Sequence, residues 1–142
     1  MRGATPQSVF NAIGGAQVGP SSISGMRMLG HLKRNHPGVF SVWPFDDISD
    51  ERSVIVEIFP RYFARSRGQN PRMKDVALLN AALSKFESEP VVVPPNSEDE
   101  GDALLSAAAL RSLSNDCDFF KRPDISIRHQ GWIFGVPFEV LV

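Results

Sequence analysis

Cysteine is almost missing from this chain: Cys117 stands alone among 142 residues. A single thiol excludes an internal disulfide and any zinc site built on several cysteines. Cys117 lies between Asp116 and Asp118, whose charges disfavour the thiolate that a nucleophile needs. Acidic residues are absent until Asp46, so the early part of the chain offers no carboxylate for catalysis or metal binding. There is no apolar run long enough to cross a bilayer, and Met1-Arg2-Gly3-Ala4 opens nothing like a secretion signal. Neither charge is in real excess: the formal net charge of −1 gives no overall pull toward nucleic acid, while local patches remain open. His31, His36 and His129 have no metal-ligand spacing, and no Ser-His-Asp arrangement can be drawn.

What is present is ordinary globular material, 42% hydrophobic and 22% charged. Such a chain can bury a core, and the expectation is one soluble, cytoplasmic domain over 1–142. Its most informative stretch is Ser97–Leu110, SEDEGDALLSAAAL. Ser97 with Glu100 three residues later is the pattern of a capping box, which predicts a helix from Ser97 to about Leu113. Acids in a first turn suit the positive end of a helix. At 3.6 residues per turn Asp99, Asp102 and Ser106 share a face. Ala103, Ala107, Ala108 and Ala109 allow close approach, and the helix is apolar almost all round after its first turn, so it is expected to be buried.

Taken in order, residues 1–21 hold Gly14-Gly15 and Gly19-Pro20 and suggest a loop-rich entry, with at most a short turn around Ser8–Ile13. Ser21 or Ser22 can cap a helix to about Arg34, striped by Ile23, Met26, Leu29 and Leu32 and stopped by Pro37-Gly38. Val39–Trp43 is an expected strand ended by Pro44. Ser53–Phe59 is the best strand, apolar on both faces except at Glu57, close to its carboxyl end. A third helix is expected over Met73–Phe86, then the Ser97 helix, then a closing strand or hairpin from Gly131–Val136 and Phe138–Val142.

Glu57, Asp99 and Asp102 form the leading candidate site. One carboxylate ends a buried strand and two stand at the mouth of a helix, a set that suits oxygen-ligated Mg²⁺ or Mn²⁺. Two such ions can clamp the attacking and leaving oxygens of a phosphodiester. The alternative is structural: Glu57 pairs with an arginine, and the helix acids serve only its first turn. Arg61, Arg65, Arg67, Arg72 and Lys74 make a basic run without an acid that could hold a phosphate backbone, or simply be a solvated loop. GGAQVGPSSISG could offer backbone N–H groups to an anion, but lacks the lysine of a phosphate loop.

VIVEIFPRYF, SEDEGDALLSAAAL and GWIFGVP, in that order, resemble an uncharacterised family of the ribonuclease-H-like, RuvC-like superfamily, domain of unknown function 429. QVGPSSISGMRML and SVWPFD resemble further segments of it, so the likeness spans most of the chain. It implies an α/β fold, a partial ribonuclease-H-like one, with a small mixed sheet covered by about three helices near 22–35, 73–87 and 98–113. It also implies a metal-dependent nuclease chemistry carried by Glu57 on a strand and Asp99 and Asp102 on the last helix. The superfamily begins with three antiparallel strands, the first bearing a central aspartate, whereas the first acid here is Asp46. The resemblance therefore covers the later two-thirds of that fold, and the carboxylate set it implies is incomplete. A Glu57 strand without its usual neighbour would have an open edge, with Val39–Trp43 available to fold back antiparallel over it. That edge implies a homo-oligomer, most simply a dimer. Two function classes follow: a nuclease-like domain meeting nucleic acid, and a non-enzymatic interaction module that keeps the fold.

Overall fold

A computed structural model describes residues 19–64, 72–116, 120 and 131–136. Residues 1–18 of the expected loop-rich entry, Arg65 and Arg67 of the basic run, Cys117, His129 and the closing segment from Phe138 lie outside the described residues, whereas Gly19–Ser21, expected as loop ahead of a serine cap, already belong to the first helix. The architecture is mixed α/β. Helices α1 (Gly19–Asn35), α2 (Pro60–Ala64), α3 (Val76–Leu83) and α4 (Glu98–Leu113) accompany strands β1 (Phe40–Val42), β2 (Ser53–Ile55), β3 (Glu57–Ile58) and β4 (Ile133–Phe134). The strands form two parallel pairs, β1 with β2 and β3 with β4.

The Ser53–Phe59 strand is real but divided. Phe40, Ser41 and Val42 pair with Ser53, Val54 and Ile55, and the Trp43 N–H donates to the Ile55 carbonyl at 2.9 Å. Pro44 comes next and has no N–H to give, so this ladder cannot continue. Beyond Val56 the chain changes partner, and Glu57 and Ile58 pair with Ile133 and Phe134. The Val39–Trp43 segment thus lies parallel to its neighbour, not antiparallel as expected. Pro60, just past the expected strand, opens α2, where a missing N–H costs nothing.

The core lies between α2, α3 and α4. Phe63, Met73, Leu79, Leu83, Leu105, Ala108 and Ala109 are buried together, flanked by Ile58, Tyr62, Phe86, Val91 and Leu113. Phe63 meets Tyr62 and Phe86 edge-on. A second packing centre joins the two strand pairs: the buried rings of Trp43 and Phe134 stand edge to face at 6.0 Å. The third expected helix is shorter than Met73–Phe86, because Asp75 caps it from Ala77 and Leu78, and Ser84–Phe86 tightens into a 3-10 turn. The chain then crosses back to α4, and Asn80 holds it by donating to the Val91 carbonyl at 3.0 Å and accepting from the Val91 N–H at 2.8 Å. Arg111 of α4 closes the same region by donating to the carbonyls of Phe86 and Glu87.

Two expectations about burial are corrected. Ile23 and Met26, half of the α1 stripe, are 50% and 63% exposed, while Leu29 and Leu32 are half-buried, so only the second half of the stripe is covered. Helix α4 is buried along one side only: Gly101, Leu105, Ala108 and Ala109 pack inward while Ala103, Leu104 and Ala107 are exposed.

Candidate carboxylate site

The first turn of α4 forms as its sequence predicts, with one shift. The Ser97 side-chain oxygen accepts from the Glu100 N–H at 3.1 Å. Glu100 returns the bond one residue early, its Oε2 accepting from the N–H and the side-chain amide of Asn96 at 2.7 and 3.0 Å. Glu98 is also committed to structure: its Oε2 accepts from the Met73 N–H at 2.9 Å. Between these contacts lies Gly101, buried against the Met73 backbone so tightly that a Cβ would fall 2.3 Å from the Met73 carbonyl oxygen. The helix can press this close only because residue 101 lacks a side chain.

Two of the four acids are therefore engaged in holding the helix in place, which leaves Asp99 and Asp102. Asp99 is exposed, and Asp102 is half-buried. The Asp102 Oδ1 is buried without any hydrogen-bond partner. Its carboxyl is pushed above the ordinary carboxylate value, first by loss of water, an effect opposed by the Arg61 charge and reinforced by Glu98 and Asp99. An ionisable oxygen in this condition costs stability, and such groups concentrate where chemistry or ligand binding uses them.

Arg61 belongs to α2, which packs directly against α4. It is half-buried and, among the described residues, makes no hydrogen bond or ion pair. An ion pair elsewhere joins Lys33 and Asp46 at 2.6 Å. The sequence placed Arg61 only within a basic run; its charge acts on Asp102 because Pro60 starts a short helix that packs on α4. Arg72 and Lys74 of that run are exposed.

Glu57 is exposed at the first position of β3. Among the described residues no group of three or more His, Cys, Asp or Glu side chains is arranged to hold a metal ion, so Glu57, Asp99 and Asp102 are not gathered into a closed carboxylate cage. Asp99, three residues before Asp102 on the same helix, adds to the rise of the Asp102 pKa, and the Asp102 Oδ1 has no hydrogen-bond partner. Two shallow hollows, of about 330 and 260 Å³, lie near Lys33 and Arg52 and near Leu104 and Arg111, and none of the three acids lines either. No helix among the described residues is long and apolar enough to cross a membrane.

Comparison of the chain with family models, with curated proteins and with solved structures returned no match.

Proposed function

We propose that this chain is a ribonuclease-H-like domain that binds one Mg²⁺ or Mn²⁺ weakly through Asp102 and Asp99 and acts on a phosphodiester of nucleic acid, in the cytoplasm. One observation carries the reading: the Asp102 Oδ1 is withdrawn from water and has no donor, a condition that a cation relieves. A bound divalent ion supplies polarisation of a phosphoryl oxygen and a more acidic water. The chain's own part is to fix the carboxylates. Gly101 and Glu98 seat the start of α4 on residue 73, and Ser97 anchors its first turn. Exposed Arg72 and Lys74 are cations available to a phosphate backbone. Titration of wild type and Asp102→Asn with Mn²⁺ by calorimetry tests the reading. Weaker binding by the variant is expected, and equal affinities would remove the metal site.

A second reading rests on a different observation. Ile23, Met26 and Met28 of α1 are each at least 50% exposed, and Val39 and Phe45 nearby in sequence are also exposed. Apolar side chains left in water in this number suit an interaction module, most simply a homodimer. Light scattering across a dilution series separates the two. A dimer that dissociates on Met26→Glu, together with absent Mn²⁺ binding, favours the module.

A further inference from the structure

The larger hollow lies at the end of α1, and its walls come from separate pieces of chain. Lys33 and His36 close α1, Phe45, Asp46 and Asp47 follow β1, and Arg52 precedes β2. Backbone bonds fix each piece: the His36 N–H donates to the Leu32 carbonyl at 2.8 Å, the Phe45 N–H to Val42 at 3.0 Å and the Arg52 N–H to Ser49 at 3.1 Å. Asp46 ties the walls together, its carboxylate accepting from Lys33 Nζ at 2.6 and 2.7 Å and from the Val42 N–H at 2.8 Å. The charges of Lys33 and Asp46 thereby cancel. Arg52 and His36 are different: among the described residues neither side chain makes a hydrogen bond or an ion pair. A guanidinium carries five N–H donors in a fork that matches phosphate, and an imidazole offers a ring N–H in either protonation state. Beside them the Phe45 ring is 53% exposed. That ring is held, because its Cζ rests so near Gly131 that a Cβ there would stand 3.3 Å away.

We propose that this hollow holds one nucleotide unit, its phosphate on Arg52 and His36 and its base against the Phe45 ring. A fixed, water-exposed ring beside uncommitted cationic donors is how proteins grip single-stranded nucleic acid: the ring stacks a base and the cations take the backbone. At about 330 Å³ the hollow stands at the small end of ligand sites, with room for one nucleotide and not for several. Asp47 adds a carboxylate to the same lining, an acceptor suited to sugar hydroxyls or a base amino group. A bare anion would meet that carboxylate as repulsion, so the lining selects a ligand that joins an anion, a flat ring and donors. The inference rests on the proposed nucleic-acid role for its ligand class and needs no metal.

Binding of a fluorescein-labelled adenine hexanucleotide is followed by anisotropy in EDTA at several salt concentrations. Adenosine monophosphate and inorganic phosphate serve as competitors. Phe45→Leu is expected to bind roughly tenfold more weakly at unchanged salt dependence, and Phe45→Tyr, which keeps the ring, to bind as wild type does. Arg52→Gln should lower the slope of log affinity against log salt by about 0.7, the share of one phosphate contact on a single strand. A purely structural role for Arg52 would not move that slope. Displacement of the hexanucleotide by adenosine monophosphate supports the site and shows that it takes free nucleotides; hexanucleotide binding without such displacement supports it as part of a strand path. The inference is overturned if wild type binds neither probe, if inorganic phosphate displaces the strand as well as adenosine monophosphate does, or if Phe45→Leu and Arg52→Gln, folded by circular dichroism, bind as wild type. Asp102→Asn should bind the hexanucleotide normally, so a failed Mn²⁺ titration leaves this site standing and a failed hexanucleotide titration leaves the metal site standing.

Discussion

Gly101→Ala tests how the start of α4 is seated. On propensity alone the change should help, because alanine is better than glycine inside a helix by about 0.8–1.0 kcal/mol. The surroundings reverse the sign. A Cβ at residue 101 would stand 2.3 Å from the Met73 carbonyl oxygen, 2.7 Å from its carbon and 2.8 Å from the Met73 Cβ. These are backbone and near-backbone atoms, so no flexible side-chain end can swing away, and the two segments must part by about an ångström to reach ordinary contact. That movement would stretch the 2.9 Å bond from the Met73 N–H to Glu98 Oε2 beyond hydrogen-bond range. A bond to a charged acceptor is worth about 1.5–3 kcal/mol, and overpacking costs about 1–3 kcal/mol. Since both describe one movement, they are not to be added. Set against the helix gain, the net loss is about 1–2 kcal/mol. Urea denaturation followed by far-UV circular dichroism measures it as a lower midpoint at unchanged slope. Gly25→Ala is the control: nothing lies within 4 Å of a Cβ there, so a neutral result or a gain of up to about 1 kcal/mol is expected. A Gly101→Ala protein as stable as wild type would mean that α4 does not rest on residue 73.

Asp102→Asn should change the pH profile of stability. Burial raises the folded-state pKa of this carboxyl above its ordinary value of 3.8. The folded state therefore holds the proton more tightly than the unfolded one, and stability falls as pH rises from that value through the raised one. Asparagine carries no such penalty, so the variant should gain on wild type between acid and neutral pH; a parallel pair of profiles would show that Asp102 is fully solvated. Ser97→Ala removes the acceptor for the Glu100 N–H and should cost about 1 kcal/mol in the same denaturation assay, whereas no loss would mean that Glu100 and Asn96 hold the turn unaided.

Helix α4 was legible because its signals are local. A serine, an acid three residues on and an apolar run suffice to place Ser97 as cap and Leu113 as end, and the structure has both. The division of the Ser53–Phe59 strand was not legible, since it depends on Pro44 of another strand arriving where the register would set it opposite Glu57. That division also exposes Glu57, which opens β3 instead of ending a continuous buried strand. Periodicity gave α1 an apolar stripe, but a stripe records what could be covered, and no described element closely covers Ile23 or Met26. Within the carboxylate site, helical spacing put Asp99 and Asp102 on one face. The separation of the four acids into two structural and two available ones required knowing that Met73 lies over the helix mouth. Arg61 was hidden for the same reason, because a proline that opens a helix and one that ends a strand look alike in sequence.

The two bonds between Asn80 and Val91 have a consequence for how the α3–α4 connection tolerates change. A side-chain amide that both donates to and accepts from one residue does what a neighbouring strand would do, and it pins the connection partway along. The connection is therefore two separate loops, and only the second is free to lengthen. Val92 and Val93, just past the pin, are 91% and 77% exposed, so added residues there would spill into solvent at a loop-closure cost that grows only with the logarithm of length. Added residues before Val91 would pull it off Asn80 and drag on the carbonyls that Arg111 holds. This loop is the natural place to graft a tag or a reporter peptide, with the carboxylate helix left undisturbed behind it.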